Sequence, residues 1–67
     1  MMREVLRDRH GNRIGELTYE AGKTILRDRH GNRLGEYHHK DNVTRDRRGG
    51  RLGYGNLLAS LLTPLGK

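Results

Sequence analysis

Short apolar segments recur along the chain, and the same charged motif follows each of them. The motif is RDRHGNR at residues 7–13 and again at 27–33, and a looser copy, RDRRGGR, occupies residues 45–51. The segments before it are Val5-Leu6, Ile25-Leu26 and Val43-Thr44, and the residues after it are Ile14, Leu34 and Leu52. β-branched and aliphatic residues on both sides of a polar motif that contains glycine predict two strands joined by a turn.

The centre of the motif has the chemistry of a tight turn. In Asp-Arg-His-Gly, the aspartate at the first position and the glycine at the fourth are typical of a type I turn. The glycine can adopt a positive φ and so close a three-residue hairpin loop with a bulge. We therefore predict a β-hairpin at each motif, with positive φ at Gly11 and Gly31.

A second glycine follows each motif, at Gly15, Gly35 and Gly53. Glycine inside a strand indicates a bulge or the close approach of another part of the chain. One extra residue at this point brings Ile14 and Leu17 to the same side of the sheet, although they are three positions apart. In the third copy the residue equivalent to Leu17 is Gly55, so we expect the last hairpin to end early.

The repeat units, residues 4–17, 24–37 and 42–55, are joined by short polar connections. Connections of this length favour antiparallel neighbours over parallel strands with long crossovers. The sequence therefore predicts a mainly β fold, three repeated β-hairpins forming an antiparallel meander, in a single domain over residues 1–67. A small β-solenoid with one unit in each turn is the alternative architecture that suits this period.

The end of the chain has a different pattern. We predict one short C-terminal helix over residues 56–63, with Asn56 as its N-cap and Pro64 directly behind its end. Helical spacing places Leu57, Leu58, Leu61 and Leu62 on one stripe. We expect this stripe to cover the sheet or to act as a self-association face, and the two roles are compatible.

Length and composition limit the size of the core. The chain has 67 residues, of which 31% are hydrophobic, and it has no cysteine that could form a disulfide or a thiolate–zinc site. A domain of this size is close to the lower limit of independent folding. Because self-association would bury more apolar surface, we expect a homo-oligomer.

Arginine dominates the charge of the chain. The formal net charge is +6, and 11 of the basic residues are arginine. The third unit is the most basic, and its arginines are the candidate polyanion-binding residues: Arg45, Arg47, Arg48 and Arg51. The alternative explanation of the charged motif is a ladder of Arg and Asp side chains that neutralise one another and fix the register of the hairpins.

Catalytic and metal-binding patterns are missing from the sequence. The chain has no cysteine, its single serine is Ser60, and it lacks the glycine-rich phosphate-binding motifs. His38 and His39 are neighbours on a predicted strand, so their side chains point to opposite faces and do not readily share a zinc ion. We expect no enzyme, no metal or cofactor, and no small-molecule substrate.

Neither end of the chain has the pattern of a membrane or export segment. The first residues contain no apolar run typical of a signal peptide, and the tail LLASLLTPL is too short to span a bilayer. We therefore expect a cytoplasmic protein that does not bind membranes.

The repeats and the tail together carry a family resemblance. RDRHGNRIG, RDRHGNRLG and RDRRGGRLG, followed by GNLLASLL, resemble a group of small uncharacterised bacterial proteins with repeated D-x-x-G-x-x-x-G hairpin units and a leucine-rich GNLL-type tail. The resemblance covers most of residues 4–62 and implies no activity and no site residue. We therefore expect a non-enzymatic, self-associating structural or interaction module, and the alternative is a small basic nucleic-acid-binding protein.

Overall fold

The chain forms one six-stranded antiparallel sheet in which each strand pairs with the next. The computed structural model describes residues 2–62. The strands are β1 (Met2–Arg7), β2 (Arg13–Glu20), β3 (Lys23–Asp28), β4 (Arg33–His38), β5 (Val43–Asp46) and β6 (Arg51–Tyr54). The sheet is open, with β1 and β6 at its two edges. The predicted meander is confirmed, and the alternative of a solenoid is wrong.

The predicted hairpin turns are confirmed by their backbone geometry. In the first unit the N–H of Gly11 donates to the carbonyl of Asp8 at 3.0 Å, and the N–H of Asp8 donates to the carbonyl of Asn12 at 2.9 Å. Gly11 has φ +86° and Gly31 has φ +90°, as predicted. The third unit repeats this geometry, with φ +90° at Gly49.

An irregularity in strand register lies beside the second glycine of the first unit. Leu6 is opposite Gly15 and the next residue, Arg7, is opposite Arg13, so Ile14 has no partner across the hairpin. The extra residue brings Ile14 and Leu17 to the same apolar groove, which Leu58 and Leu62 also line. This confirms the predicted effect of the bulge, and β6 also ends at Tyr54, before Gly55, as expected.

The register assigns each side chain to one of two faces of the sheet. Directly opposite residues in antiparallel strands share a face, so Leu17, Leu26 and Gly35 lie together. We call this side, on which Leu58, Leu61 and Leu62 lie, the covered face. Glu16 is opposite Arg27 and Glu36 is opposite Arg45. We call their side the charged face.

The C-terminal leucines form a shorter helix than predicted. Instead of an α-helix over residues 56–63, the structure has a 3₁₀ helix at Leu58–Leu61, with Leu57 at its N-cap position; Thr63 and Pro64 lie outside the described residues. The N–H of Leu57 donates to the Thr44 hydroxyl at 2.9 Å, which ties the start of the segment to the sheet. Helices of a single turn are commonly 3₁₀. Asn56 Oδ1 still accepts a hydrogen bond from the Leu58 N–H at 3.1 Å.

The second glycines make room for these leucines. We call residues 57–62 the leucine segment. A Cβ atom on Gly35 would lie 2.5 Å from Leu61 Cδ1 and 2.7 Å from the carbonyl oxygen of Arg45. A Cβ atom on Gly15 would lie 2.8 Å from the carbonyl oxygen of Arg27 and 3.3 Å from Leu62 Cδ2. The glycines that the sequence repeats therefore form the floor on which the leucine segment packs.

Candidate functional site

In the first unit, a carboxylate on the charged face is surrounded by arginines. Glu16 Oε2 lies 3.9 Å from a guanidinium nitrogen of Arg3 and 3.9 Å from one of Arg13, and its side chain is only 15% exposed. Arg27, directly opposite Glu16 on β3, donates instead to the Thr18 hydroxyl at 3.2 Å. Glu16 therefore neutralises part of the positive charge of Arg3 and Arg13.

The second unit repeats this arrangement around Glu36. Its carboxylate is 2.7 Å from Arg33 Nη1, 3.0 Å from His38 Nε2 and 3.9 Å from Lys23 Nζ. The Glu36 side chain is 13% exposed. The Glu36 carboxylate is thus largely enclosed by an arginine, a lysine and a histidine of the same sheet.

In the third unit a tyrosine occupies the position of these glutamates. Tyr54 follows the second glycine as Glu16 and Glu36 do, and it lies opposite Val43 at the β6 edge. The guanidinium carbon of Arg51 is 5.4 Å from the centre of the Tyr54 ring, a cation–π distance. The tyrosine is 67% exposed, so the third unit presents an accessible ring where the other two have an enclosed acid.

The four arginines predicted to bind polyanions lie at two places in the third hairpin. Arg45 and Arg51 are directly opposite each other on the charged face, and Arg45 Nη1 donates to the carbonyl of Gly49 at 3.0 Å. Arg47 and Arg48 are exposed in the turn. Within residues 2–62, no ion pair joins any of these four arginines to a carboxylate.

The turn aspartates hold the backbone of the hairpins. Asp46 Oδ1 accepts hydrogen bonds from the N–H groups of Gly50 and Arg48, both at 2.9 Å. These bonds, the one from Gly50 first, lower the pKa of Asp46 below its ordinary value. Asp8 and Asp28 accept the equivalent bonds from the residues two and four positions later. The acids of the charged motif therefore serve its turns, as the sequence predicted.

The leucines predicted for self-association pack on the chain's own sheet. Leu58 is buried, and Leu61 and Leu62 are half-buried over the covered face. Leu57 is 37% exposed and lies against Gly53. The structure thus gives this stripe its covering role, and its role in self-association stays a prediction.

The side chains of the neighbouring residues His38 and His39 have different partners. His38 contacts Glu36 on the charged face, whereas His39 Nε2 is 2.9 Å from the Thr24 hydroxyl. No group of three potential metal ligands comes together in the part of the chain that the structure describes. Nor does any helix between residues 2 and 62 have the length and apolar character needed to cross a membrane.

Comparison with protein families, curated proteins and solved structures gave no match. The assignment of a role therefore depends on the geometry of this chain. Sequence reasoning missed one member of the candidate site, Tyr54. The signal that identifies it is the change from glutamate to tyrosine when the three repeats are aligned.

Proposed function

We propose that this chain is a non-enzymatic interaction module that self-associates. The observation that carries the proposal is the small core of the described part of the chain, residues 2–62. The buried apolar residues are Ile25, Leu26, Val43 and Leu58, whereas the exposed large ones are Met2, Val5, Ile14, Tyr19, Leu52, Tyr54 and Leu57. Pairing with a second copy would remove part of this exposed apolar area from water, which favours association.

The edge at β1 is the candidate surface for this pairing. β1 has six residues and β6 has four, and both edges of the sheet are open. An unpaired edge strand offers a row of backbone N–H and C=O groups to another strand. Met2 and Val5 are exposed on β1, so two copies that pair through β1 about a two-fold axis would extend the sheet and cover these side chains.

The test is the mass of the protein in solution, measured by sedimentation at micromolar concentration. We expect the wild type to have a mass larger than that of the 7.7 kDa chain. Val5→Lys should lower the measured mass toward 7.7 kDa, because a charged side chain on an edge strand opposes pairing. Leu52→Lys is the matched control at the opposite edge. A wild-type chain that sediments as a folded 7.7 kDa species refutes self-association, and dissociation by Leu52→Lys alone moves the interface to β6.

A second candidate function is the binding of polyanions through the third hairpin. Its supporting observation is the difference in charge balance between the units. In the first two units the first arginine after the turn, Arg13 or Arg33, pairs with the glutamate of its own unit. Its equivalent in the third hairpin, Arg51, forms no ion pair with a carboxylate among residues 2–62. Unpaired guanidinium groups are well suited to phosphate.

Salt-titrated binding of a nucleic acid tests this second function. Replacing Arg45 and Arg51 by Gln should weaken binding and reduce its dependence on salt, because each phosphate contact releases counterions. Replacing Arg13 and Arg33 by Gln removes the same charge at positions whose arginines already contact Glu16 and Glu36, so it should have a smaller effect. Equal losses in the two double variants would show that net charge alone governs binding.

A further inference from the structure

The position after the second glycine distinguishes the third hairpin from the other two. Glu16 and Glu36 occupy it in the first two units, and each carboxylate is enclosed by cations. Tyr54 occupies it in the third and is 67% exposed. The replacement removes an acid that would repel a phosphate, and it supplies an aromatic ring beside arginines that lack an acidic partner.

From this arrangement we propose that the third hairpin binds single-stranded nucleic acid, with a base stacked on Tyr54 and the neighbouring phosphates on Arg45 and Arg51. The inference rests on the polyanion-binding function proposed above and names its ligand. Proteins that bind single strands combine aromatic side chains for stacking with basic groups along the backbone. The third hairpin has both on one face.

The geometry around Tyr54 leaves the ring accessible to a base. Tyr54 ends the edge strand β6, and no strand lies beyond it in the sheet. Arg51 lies on one side of the residue, with its guanidinium carbon 5.4 Å from the ring centre and its Nη1 3.4 Å from the tyrosine hydroxyl. This contact restricts the ring while leaving two-thirds of the residue open to solvent.

The turn of the same hairpin extends the basic surface. Arg47 and Arg48 lie between β5 and β6 and are exposed. Asp46 beside them accepts hydrogen bonds from two backbone N–H groups at Oδ1 and also interacts electrostatically with Arg48. A single strand that follows the hairpin from Tyr54 to the turn would meet cationic groups along its path. Bases inside a duplex are stacked on each other and do not offer a free face to Tyr54, so the ring favours single strands.

The experiment compares three ligands on four proteins. The ligands are a labelled oligothymidylate of about twelve nucleotides, within the site sizes known for single-strand binders, a duplex of the same length, and heparin. The proteins are the wild type, Tyr54→Phe, Tyr54→Leu and Tyr54→Glu. Because Tyr54 is largely exposed, we expect all four to melt at similar temperatures, and this is checked first.

We expect the wild type to bind the single strand more tightly than the duplex. Tyr54→Phe keeps the aromatic face and should bind like the wild type, whereas Tyr54→Leu should lose at least about fivefold in affinity for the single strand, the lower end of a stacking contribution. Leucine leaves the charge unchanged, so heparin binding should not change. Tyr54→Glu installs the residue of the other two units and should weaken binding of all three ligands.

Two results would overturn the inference, and they can be told apart. If Tyr54→Leu binds the single strand as the wild type does while binding stays dependent on salt, stacking on Tyr54 is wrong and polyanion binding stands. If the wild type binds none of the three ligands, both the inference and the polyanion-binding function are wrong. If Tyr54→Leu unfolds the chain, Tyr54→Thr, which also lacks a ring and suits a strand, takes its place in the same comparison.

Discussion

The first two hairpins and the third share a turn but differ in the strands that leave it. Asp8, Asp28 and Asp46 each accept two backbone N–H bonds at 2.8–2.9 Å. The return strands differ: β2 and β4 have eight and six residues, whereas β6 has four. After Tyr54 the chain leaves the sheet, and Gly55 has φ +87°.

This difference separates the positions of the repeat that the turn requires from a position that can vary without loss of the turn. The aspartate and the first glycine, which shape the turn, occur in all three units. The position after the second glycine faces the charged side of the sheet and is not needed for the turn, so it can be glutamate in two units and tyrosine in the third. A substitution at this position therefore changes the residue that the neighbouring arginine contacts without changing the turn.

We expect the largest loss of stability from substitution of the glycines under the leucine segment. Gly35→Ala would place a Cβ atom 2.7 Å from the Arg45 carbonyl oxygen, which cannot move without disturbing β5. Gly53→Ala would meet only Leu57 Cδ1, at 3.0 Å, and this flexible side chain can shift. In chemical denaturation we expect Gly35→Ala to lower the free energy of unfolding by about 1–3 kcal/mol and Gly53→Ala by less. A larger loss for Gly53→Ala would contradict the packing described for the two units.

A slightly smaller effect is expected at the turn glycines. Gly31 has φ +90° and no atom within 4 Å of a Cβ placed on it, so a substitution there meets backbone strain and no steric clash with neighbours. Gly31→Val should cost more than about 1 kcal/mol, because a β-branched residue rarely adopts this conformation. Gly31→Asn is the control and should cost less, since asparagine tolerates positive φ. An unchanged denaturation midpoint for Gly31→Val would refute the turn assignment.

The turns were predictable from the sequence because their chemistry is local. Asp28 and the N–H groups it binds are separated by two and four residues, so one motif contains both partners. The reason for the second glycines was not predictable in this way. Gly35 and Leu61 meet only because the chain crosses the covered face after β6, and that path depends on the whole sheet.

The prediction of a C-terminal α-helix was wrong for a related reason. The stripe of leucines and Asn56 predicted an α-helix, but the Thr44 hydroxyl on β5 accepts a hydrogen bond from the Leu57 N–H and fixes where the helix begins. Tyr54 was missed although its signal lay in the repeat alignment. Its place in the site depends on the strand register, which puts Tyr54 on the same face as Arg45 and Arg51.

The turn aspartates predict a loss of stability in acid. Hydrogen bonds from the backbone N–H groups of Asn12, Asn32 and Gly50 are the main reason that the pKa values of Asp8, Asp28 and Asp46 lie below the ordinary value of 3.8. A carboxylate whose pKa is lowered by folding stabilises the fold above its unfolded pKa and loses this contribution as the pH falls through its folded pKa. The melting temperature should therefore be steady near neutral pH and fall below about pH 4.

Substitution identifies the aspartates as the source of this dependence. Replacing all three by Asn keeps an oxygen acceptor and removes the ionisation, so thermal melts of this variant should depend less on pH in the acid range. An acid dependence as steep as that of the wild type would assign the effect to other carboxylates.

We expect the smallest change in stability from replacement of the arginines at the turn tips. Arg9, Arg29 and Arg47 are exposed and form no ion pair with a carboxylate among residues 2–62. Replacing all three by Gln should change the free energy of unfolding by no more than about 1 kcal/mol. Replacing the three turn aspartates by Ala should lower the melting temperature much further, because the backbone N–H groups lose their acceptors. If the arginine variant unfolds and the aspartate variant does not, the explanation of the charged motif is wrong.

The most direct test of the difference between the hairpins is a titration of the ¹⁵N-labelled chain with single-stranded oligothymidylate, followed by amide chemical shifts. Since only the third hairpin combines arginines that lack an ion-paired carboxylate with the exposed ring of Tyr54, we predict that the shifts concentrate at residues 45–54. Residues 7–16 and 27–36, whose glutamates hold the neighbouring cations, should change little. Equal changes in all three hairpins, or no change in any, would contradict the account.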